Sequence, residues 1–390
     1  MRVGEAVGFP GIDGQGSSVV KASGLRVLAL VTEAFAGRGG IAQYNRDFLA
    51  ALARCDGVED VTVLPRFSAN SVSTLPPGIR QLRPVESKVG YAVSALWTAL
   101  TLEPIDFVFC GHLLMAPLAA AICKVLNVPL WLQVHGAEVF WHEPSALERR
   151  SVETALIVTA VSRYTRRHLL QRVGIEPARV KVLSNTVDPQ YRPGPKPNYL
   201  IDRHTASGKK VIMTVSRLSH FDSYKGHDRV IRILPRLSEQ HPETIYLIVG
   251  DGEDRSRLEK LALEHGVAKK VQFPGLIPPE ELPDYFRLAD VFVMPSTGEG
   301  FGIVFLEAMA TGVHVIGGNR DGSADALADG ELGWAVDPDD EHELTSAISA
   351  ALSTPANLDP AKVNRASRFG YQAFAKHLQA LVESNFTARN

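Results

Sequence analysis

The sequence predicts an α/β protein with two domains, each built around a parallel β-sheet. Short apolar runs of strand length alternate along the chain with stretches of helical periodicity, which is typical of βαβ units. Between Asp188 and Gly208 this alternation stops, and four prolines stand among polar residues. The length of 390 residues suits two domains of roughly 100–200 residues each. We therefore expect two Rossmann-like domains joined by a proline-rich linker.

The first predicted domain covers residues 25–190 and opens with a strand, a glycine turn and a helix. Residues 27–31 form the strand, Gly39 and Gly40 lie in the turn, and residues 41–52 carry the helical periodicity. Further apolar runs of strand length lie at 61–64, 107–110, 130–134, 156–161 and 180–183. Residues 1–24 are rich in Gly and Ser without a long apolar run, and they predict a disordered lead-in rather than a secretory signal.

The second predicted domain covers residues 191–369 and repeats the alternation more regularly. Its strand-like runs lie at 211–215, 245–249, 271–273, 291–294, 313–316 and 333–336. A final helix is predicted for residues 370–390, and its apolar stripe consists of Phe369, Phe374, Leu378 and Leu381.

The composition is that of a globular protein and argues against several classes of function. Hydrophobic residues make up 45% and charged residues 22% of the chain. The 41 basic and 43 acidic residues give a net charge of -2, which does not support a nucleic-acid-binding domain. Three widely spaced cysteines, Cys55, Cys110 and Cys123, favour a reduced, cytoplasmic protein. No apolar segment approaches the ~20 residues of a membrane-spanning helix.

The segment from Ser296 to Glu307 carries the clearest chemical signal. It follows a predicted strand and opens a predicted helix, and open α/β sheets bind ligands beyond such strand ends. Gly300 and Gly302 let the backbone approach an anion closely at the helix start. Glu299 lies in the loop, within reach of sugar hydroxyls, and Glu307 lies among apolar residues, where ribose hydroxyls would be suitable partners. A helix cap followed by a salt-bridged glutamate is the competing structural interpretation.

Basic and glycine-rich loops supply further candidates in the second domain. Arg217 and Lys225 follow its first strand and suit a pyrophosphate, although two such residues are also common on a solvated surface. The turn at Gly250 and Asp251 follows the next strand, and it either walls a nucleotide pocket or is simply a turn.

The first domain offers two candidates of its own. His135 ends the strand at 130–134, where a histidine either faces the cleft or closes a turn. Gly39 and Gly40 precede the first helix and provide a second helix start that favours anions.

Taken together, these residues resemble glycosyltransferase family 4, a large retaining group with the GT-B fold. Glu299 and Glu307 form a Glu-x7-Glu element similar to that family's most telling motif, and the intervening Gly-Phe-Gly-Ile-Val-Phe-Leu is similar almost residue for residue. Ser184-Asn-Thr-Val-Asp188 is similar to the family's end-of-domain segment, except that Thr186 stands where the family usually has Gly. The resemblance covers roughly residues 25–385, and it is more specific in the second domain.

The resemblance implies two Rossmann-like domains facing each other across a cleft, with the C-terminal helix crossing back to the first domain. It implies that Glu299 holds sugar hydroxyls, that Glu307 holds the ribose and that two basic residues neutralise the diphosphate. The implied catalytic residues are Glu299, His135, Arg217 and Lys225. The implied donor-binding residues are Gly39, Gly40, Gly250, Asp251, Gly300, Phe301, Gly302 and Glu307.

The implied activity is retaining transfer of a hexosyl group from a nucleotide diphosphate sugar to a glycan or lipid-linked acceptor, in bacterial-type polysaccharide or glycolipid synthesis. Loose similarity around residues 315–325 favours GDP-mannose over UDP-glucose as the donor. No Asp-x-Asp motif stands where a divalent ion is needed, so we expect neither a metal nor another cofactor. The alternatives are a nucleotide-sugar epimerase of the same layout, a pyridoxal-dependent glycoside phosphorylase and a non-catalytic nucleotide-sugar-binding protein.

A basic stretch in the first domain suggests peripheral contact with an anionic membrane on its inner face. Arg163, Arg166 and Arg167 recur at helical spacing, with His168 and Arg172 nearby. Such a helix face attracts anionic lipid, although an ordinary solvated face has the same pattern.

Overall fold

The computed structural model describes residues 24–37, 39–68, 74–102, 104–354 and 366–387. The first half forms a seven-stranded parallel sheet with the order β3-β2-β1-β4-β5-β6-β7. Its strands are β1 (Leu25–Val31), β2 (Val58–Pro65), β3 (Ile79–Gln81), β4 (Phe107–Cys110), β5 (Leu130–Val134), β6 (Ile157–Ala160) and β7 (Val180–Val182).

The second half forms a six-stranded parallel sheet with the order β10-β9-β8-β11-β12-β13. Its strands are β8 (Lys210–Val215), β9 (Thr244–Val249), β10 (Val271–Gly275), β11 (Val291–Met294), β12 (His314–Gly318) and β13 (Trp334–Val336). Alternate residues of β8 pack into two different cores, Val211 and Met213 into one and Ile212 into the other. This burial on both faces explains why the strands are continuous apolar runs.

Helices follow most strands, as the alternation predicts. In the first half they are α1 (Gly40–Leu52), α2 (Lys88–Thr101), α3 (Ala116–Leu126), α4 (Ala137–Phe140), α5 (Ala146–Thr154) and α6 (Arg163–Arg172). In the second half they are α7 (Asn198–Arg203), α8 (His227–Gln240), α9 (Arg255–Glu264), α10 (Leu282–Leu288), α11 (Ile303–Ala310), α12 (Ser323–Ala326), α13 (Glu341–Ser353) and α14 (Tyr371–Val382).

The last helix crosses back to the first half of the chain. Gln379 of α14 accepts a hydrogen bond from the backbone N–H of Asp56 at 2.8 Å. Beyond the helix, Phe386 stacks on Phe107 of β4, with ring centroids 4.2 Å apart. The fold class predicted from the sequence is therefore confirmed.

The structure differs from the sequence prediction in three places. Strand β3 was missed because three residues at a sheet edge, two of them half-buried and one exposed, carry little periodic signal. The expected linker at 188–208 contains helix α7, whose Tyr199 bonds Asp284 of α10 at 2.9 Å. Helix α14 ends at Val382 and is followed by a π-helical turn over Glu383–Thr387. The lead-in at residues 1–24 lies, apart from Gly24, outside the described residues, and the boundaries of the two domains stay predictions.

Candidate active site

Two predicted site residues follow the two strands at which the order of the second sheet reverses. Lys225 ends a 3-10 turn after β8, and Glu299 lies in the loop after β11. Open α/β sheets bind ligands in the crevice at this switch point. Lys225 Nζ donates to Glu299 Oε2 at 3.2 Å, and both side chains are less than one fifth exposed. A group bound by the lysine and a group bound by the glutamate would therefore be direct neighbours.

The loop that carries Glu299 is held by a buried carboxylate from the neighbouring strand's loop. Asp321 Oδ2 accepts the Glu299 backbone N–H at 2.7 Å and the Ser296 hydroxyl at 2.8 Å. Its other oxygen accepts the Ser323 backbone N–H at 2.9 Å. Burial raises the pKa of Asp321 to about 6, and the three donors oppose that shift. Asp321 therefore fixes the backbone position of Glu299.

The starts of two helices from opposite halves of the chain face each other across the cleft. A Cβ built on Gly40, the first residue of α1, would lie 3.9 Å from Ile303 Cδ1, the first residue of α11. Gly39 and Gly302 cap these helices with φ angles of 89° and 84°, which favour glycine. Neither first turn contains an acidic residue. Two positive helix ends therefore converge on the same region, as an anion site requires.

Glu307 is buried between the two halves of the chain and is held by protein side chains. It is 4% exposed, Gln43 of α1 donates to it at 3.4 Å, and the Tyr191 hydroxyl also bonds it. Burial raises the pKa of Glu307 to about 7, and the negative charges of Asp188 and Asp47 add to the shift. A ribose at this carboxylate would join or replace these contacts.

Asp47 makes the surroundings of Glu307 more acidic. It lies four residues after Gln43 on α1 and so shares the helix face that approaches Glu307. Burial raises the pKa of Asp47 to about 7, with a further contribution from Asp188. Hydrogen-bond donors bound in this region, such as hydroxyls, would therefore stabilise its carboxylates.

His135 lies under the cleft as a neutral ring. Its Nε2 lies 3.0 Å from the Gly111 carbonyl, which can only accept, so Nε2 carries the proton. Burial lowers the pKa of His135 to about 4. Its backbone oxygen would be 2.1 Å from a Cβ on Gly300, so Gly300 permits the close approach of the two halves.

Arg217 occupies a more open position than the other predicted catalytic residues. Its Nε donates to Asp222 at 2.7 Å, and the arginine side chain is 74% exposed whereas Asp222 is buried. The Asp222 carboxylate raises the pKa of Arg217 and uses one edge of its guanidinium. The terminal nitrogens remain available as donors at the rim of the crevice.

The Gly250-Asp251-Gly252 turn has a structural explanation. A Cβ on Gly250 would lie 1.8 Å from the Ser216 carbonyl oxygen, and one on Gly252 would lie 2.1 Å from that of Leu218. These glycines therefore bring the turn against the loop that carries Arg217. Its contact with a nucleotide stays a prediction. Phe301 is buried and packs edge-on against Phe369, so that only its backbone is a candidate for ligand contact.

Most arginines of the basic stretch on α6 bond other groups of the protein. Arg163 bonds Asp325 and Asp329 across the cleft, each at 2.7 Å. Arg166 donates to the carbonyls of Val180 and Pro177, and Arg172 bonds Glu143. Three of the four arginines therefore have partners within the protein, and contact of this helix with a membrane stays a prediction. Arg163 and Arg167 instead line a polar cavity of about 330 Å³ between the two halves, together with residues around Asp321.

The described residues contain no group of three or more His, Cys, Asp or Glu side chains placed to hold a metal ion. None of the helices in this part of the chain is long and apolar enough to cross a membrane. All three cysteines are buried thiols outside disulfide bonds.

Comparison with known proteins assigns the chain to a family. Residues 199–375 match the family model "Glycosyl transferases group 1", and residues 38–191 match "Glycosyltransferase Family 4". Over 345 residues the chain is 30% identical to the GDP-mannose-dependent alpha-(1-6)-phosphatidylinositol monomannoside mannosyltransferase of Mycobacterium tuberculosis, a match that covers 84% of this chain and 89% of that protein. The chain belongs to glycosyltransferase family 4. It is a glycosyltransferase.

Two other matches agree with this membership. The protein of the same name from Mycolicibacterium smegmatis is 36% identical over 233 residues, which cover 57% of this chain and only 60% of that protein. The crystal structure of Anabaena HepE with UDP and glucose superposes with a TM-score of 0.74 at 20% identity and covers 92% of this chain and all of that one. At this identity the superposition shows the GT-B fold.

Sequence reasoning missed three groups at the site of this glycosyltransferase. Gln43 and Tyr191 bond Glu307 from distant points of the chain, and a one-dimensional pattern does not reveal such pairing. Asp321 had a visible signal, because it is a carboxylate in a short polar loop directly after a buried strand. Such loops at strand ends are where site residues concentrate in α/β proteins.

Replacing Asp321 with Ala is expected to lower kcat by about 10-fold or more, because the Glu299 loop loses its anchor. Affinity for a free nucleoside diphosphate should stay within about threefold, since Lys225 and the helix starts are untouched. Steady-state kinetics and calorimetry measure the two quantities, with exposed Asp339→Ala as the control. Unchanged kcat in folded Asp321→Ala would contradict the positioning role.

Proposed function

We propose that this glycosyltransferase moves a mannosyl group from GDP-mannose to a membrane glycolipid or a related glycan, with retention of the anomeric configuration. The observation that carries the proposal is the meeting of Lys225, Glu299 and two helix N-termini at one switch point. The relatives named GDP-mannose-dependent phosphatidylinositol monomannoside mannosyltransferases support both the donor and the acceptor class. UDP-glucose is the second candidate donor, since HepE binds UDP and glucose.

The proposed chemistry depends on stabilising the departing diphosphate. Negative charge grows on the leaving phosphate oxygen, and Lys225, Arg217 and the starts of α1 and α11 supply fixed positive charge. Glu299 accepts hydrogen bonds from the sugar hydroxyls and so fixes the reacting carbon. Occupation of the site by a donor would separate Lys225 from Glu299, because each then has a ligand group to bind.

We propose a front-face displacement without a covalent intermediate. The bond from the anomeric carbon to the phosphate oxygen breaks, and the acceptor oxygen bonds to that carbon on the same face. The acceptor proton passes to the leaving phosphate. His135 is suited to a place beside the sugar because its ring is neutral, so it neither repels Lys225 nor forms a fixed ion pair with Glu299.

Closure of the two halves would exclude water from this reaction. Contacts that join them lie around the site: Trp141 packs against Tyr224 with centroids 6.1 Å apart, and Arg163 bonds Asp325. We further propose that the protein works in the cytoplasm at the inner face of a membrane, where a glycolipid acceptor is accessible.

The donor proposal predicts that GDP stabilises the protein more than UDP or ADP does. A ligand at about 100 times its Kd adds about 2.7 kcal/mol to stability, enough to raise Tm by several degrees. Thermal-shift measurements with the three diphosphates test this, and turnover of GDP-mannose with and without a chelator tests metal independence. A larger shift in Tm with UDP would indicate that the donor is UDP-glucose. Loss of activity with chelator, restored by magnesium or manganese, would contradict the metal-independent mechanism.

A further inference from the structure

An exposed tryptophan from the first half of the chain lies against the two loops that carry Lys225 and Glu299. Trp141 directly follows helix α4. Its ring packs on Tyr224, which directly precedes Lys225, with the ring centroids 6.1 Å apart. A Cβ built on Gly298, which directly precedes Glu299, would lie 2.6 Å from Trp141 Cζ2. Trp141 therefore lies where the two loops meet, although it belongs to the opposite half of the chain.

The two loops support the Trp141 ring in a defined place. The backbone N–H of Thr297 donates to the Tyr224 carbonyl at 3.0 Å, so that the loops are bonded to each other. A Cβ on Gly298 would lie 3.3 Å from Tyr224 Cγ as well as 2.6 Å from the Trp141 ring, so it would enter the space between the two rings. Carbon atoms prefer a separation of about 3.5–4.0 Å, and a side chain at position 298 would therefore displace Trp141.

Most of the Trp141 side chain is nevertheless open to solvent. It is 65% exposed, whereas tryptophan is highly buried on average in folded proteins. The face of an aromatic ring carries partial negative charge, so it attracts C–H groups that carry partial positive charge. The C–H groups of a sugar or cyclitol ring have this character, because each of those carbons bears an oxygen. The exposed side of Trp141 therefore suits a ring-shaped polyol.

The position of Trp141 indicates the acceptor as this polyol. Glu299, which holds the transferred sugar in the proposed function, belongs to the second half of the chain, and Trp141 belongs to the first. A ring stacked on Trp141 would be a direct neighbour of the sugar at Glu299, because Gly298 contacts the indole and adjoins Glu299 in the chain. Transfer requires this arrangement, in which the acceptor hydroxyl is held close to the anomeric carbon.

We propose that Trp141 is a stacking platform for the ring of the acceptor, and that it makes the enzyme selective for acceptors with a cyclic polyol at the reacting end. The acceptor ring places its C–H face on the indole, and its hydroxyl-bearing edge is directed toward the sugar at Glu299. The role of Trp141 in transfer rests on the proposed function, whereas binding of a polyol ring to Trp141 does not require turnover.

Steady-state kinetics with GDP-mannose and lipid extracted from membranes tests the role in transfer. Trp141→Ala should raise the apparent KM for the lipid acceptor about 10-fold, and Trp141→Phe should stay within about threefold of the unmodified protein because it keeps an aromatic face. The KM for GDP-mannose and the calorimetric affinity for GDP should be unchanged in both variants. The matched control is Leu263→Ala, because Leu263 is 70% exposed on α9, and its constants should equal those of the unmodified protein.

A role confined to packing between the two halves would give a different result. Trp141→Ala would then lower kcat and raise the KM for GDP-mannose, without a separate effect on the acceptor KM. That outcome would overturn the proposal, and so would an acceptor KM that is as high in Trp141→Phe as in Trp141→Ala.

NMR saturation transfer to methyl α-D-mannopyranoside, with GDP present, gives a second readout that needs no turnover. The unmodified protein and Trp141→Phe should saturate the ring protons of this probe, and Trp141→Ala should lose most of that signal. Glu299→Gln identifies the site, because a probe stacked on Trp141 keeps its signal in this variant. A signal that is lost in Glu299→Gln and kept in Trp141→Ala would assign the probe to the donor-sugar site and overturn the proposal.

The absence of any saturation-transfer signal from the unmodified protein would also overturn it. Saturation transfer that depends on Trp141, found together with no turnover of GDP-mannose, would contradict only the donor proposal. The failure of the Trp141 proposal and the failure of the proposed function are therefore distinguishable.

Discussion

Replacing Glu299 with Gln is expected to lower kcat by ~100-fold or more while the affinity for free GDP stays nearly intact. The substitution keeps the size of the side chain and its place beside Lys225, but it removes the charge that we propose holds the sugar hydroxyls in the transition state. Free GDP has no sugar at that position, so its binding should not depend on this carboxylate. Steady-state kinetics with GDP-mannose and calorimetry with GDP measure the two effects.

Lys225→Ala provides the contrast that makes this test sharp. Lys225 lies 3.2 Å from Glu299, so both variants disturb the same ion pair. The lysine variant should weaken GDP binding and also slow turnover, because the diphosphate is charged in the ground state and more so in the transition state. If Glu299→Gln loses as much GDP affinity as Lys225→Ala and keeps its kcat, the assignment of sugar to Glu299 and diphosphate to Lys225 is wrong.

Replacing Glu307 with Gln is expected to stabilise the ligand-free protein at pH 8 by up to about 3 kcal/mol, with little effect near pH 4.5. Burial raises the pKa of Glu307 from 4.5 to about 7, so the folded protein keeps a proton that the unfolded chain releases above pH 4.5. The contribution of Glu307 to the free energy of unfolding is therefore fully present below pH 4.5, and it is lost as the pH rises through 7. The shift of about 2.5 units corresponds to about 3 kcal/mol at full ionisation. Urea unfolding midpoints at pH 5 and pH 8 measure the difference.

The matched control for this prediction is Asp47→Asn, which removes the neighbouring carboxylate with a pKa also raised to about 7. Asp47→Asn should also make the free energy of unfolding decrease less between pH 5 and pH 8. Only the Glu307 variant should raise the donor KM more than it lowers kcat, because ribose contacts are largely uniform binding. The unfolding midpoint of Glu307→Gln should decrease less from pH 5 to pH 8 than that of the unmodified protein. An equally steep decrease would contradict a buried, partly protonated carboxylate at position 307.

The positions of the candidate site residues could be predicted best where each position follows from the local sequence pattern. Glu299 and Lys225 both follow apolar strands, and buried parallel strands are the strongest signal in a single sequence. The positions at strand ends then follow from the topology of an open sheet. The C-terminal helix was also predictable from its periodicity, whereas its packing against the first half of the chain was predicted only from the family resemblance.

The parts that could not be predicted depend on contacts between distant segments. Nothing near Arg163 in the sequence reveals that Asp325 and Asp329 lie opposite it, so its ion pairs with them could not be predicted. Conversely, the apolar residues of α2 fit the periodicity of a core helix. Only the structure shows that one of its two apolar faces is exposed to solvent. Periodicity identifies a helix face and does not identify what covers it.

The most direct test of the account is transfer of labelled mannose from GDP-mannose into lipid extracted from membranes. The unmodified protein should place the label in a lipid-soluble product from which α-mannosidase releases it, because the proposed reaction retains the α configuration of the donor. Glu299→Gln should give ~100-fold less product under the same conditions. Label that remains in GDP-mannose, or a product that only β-mannosidase cleaves, would contradict the account.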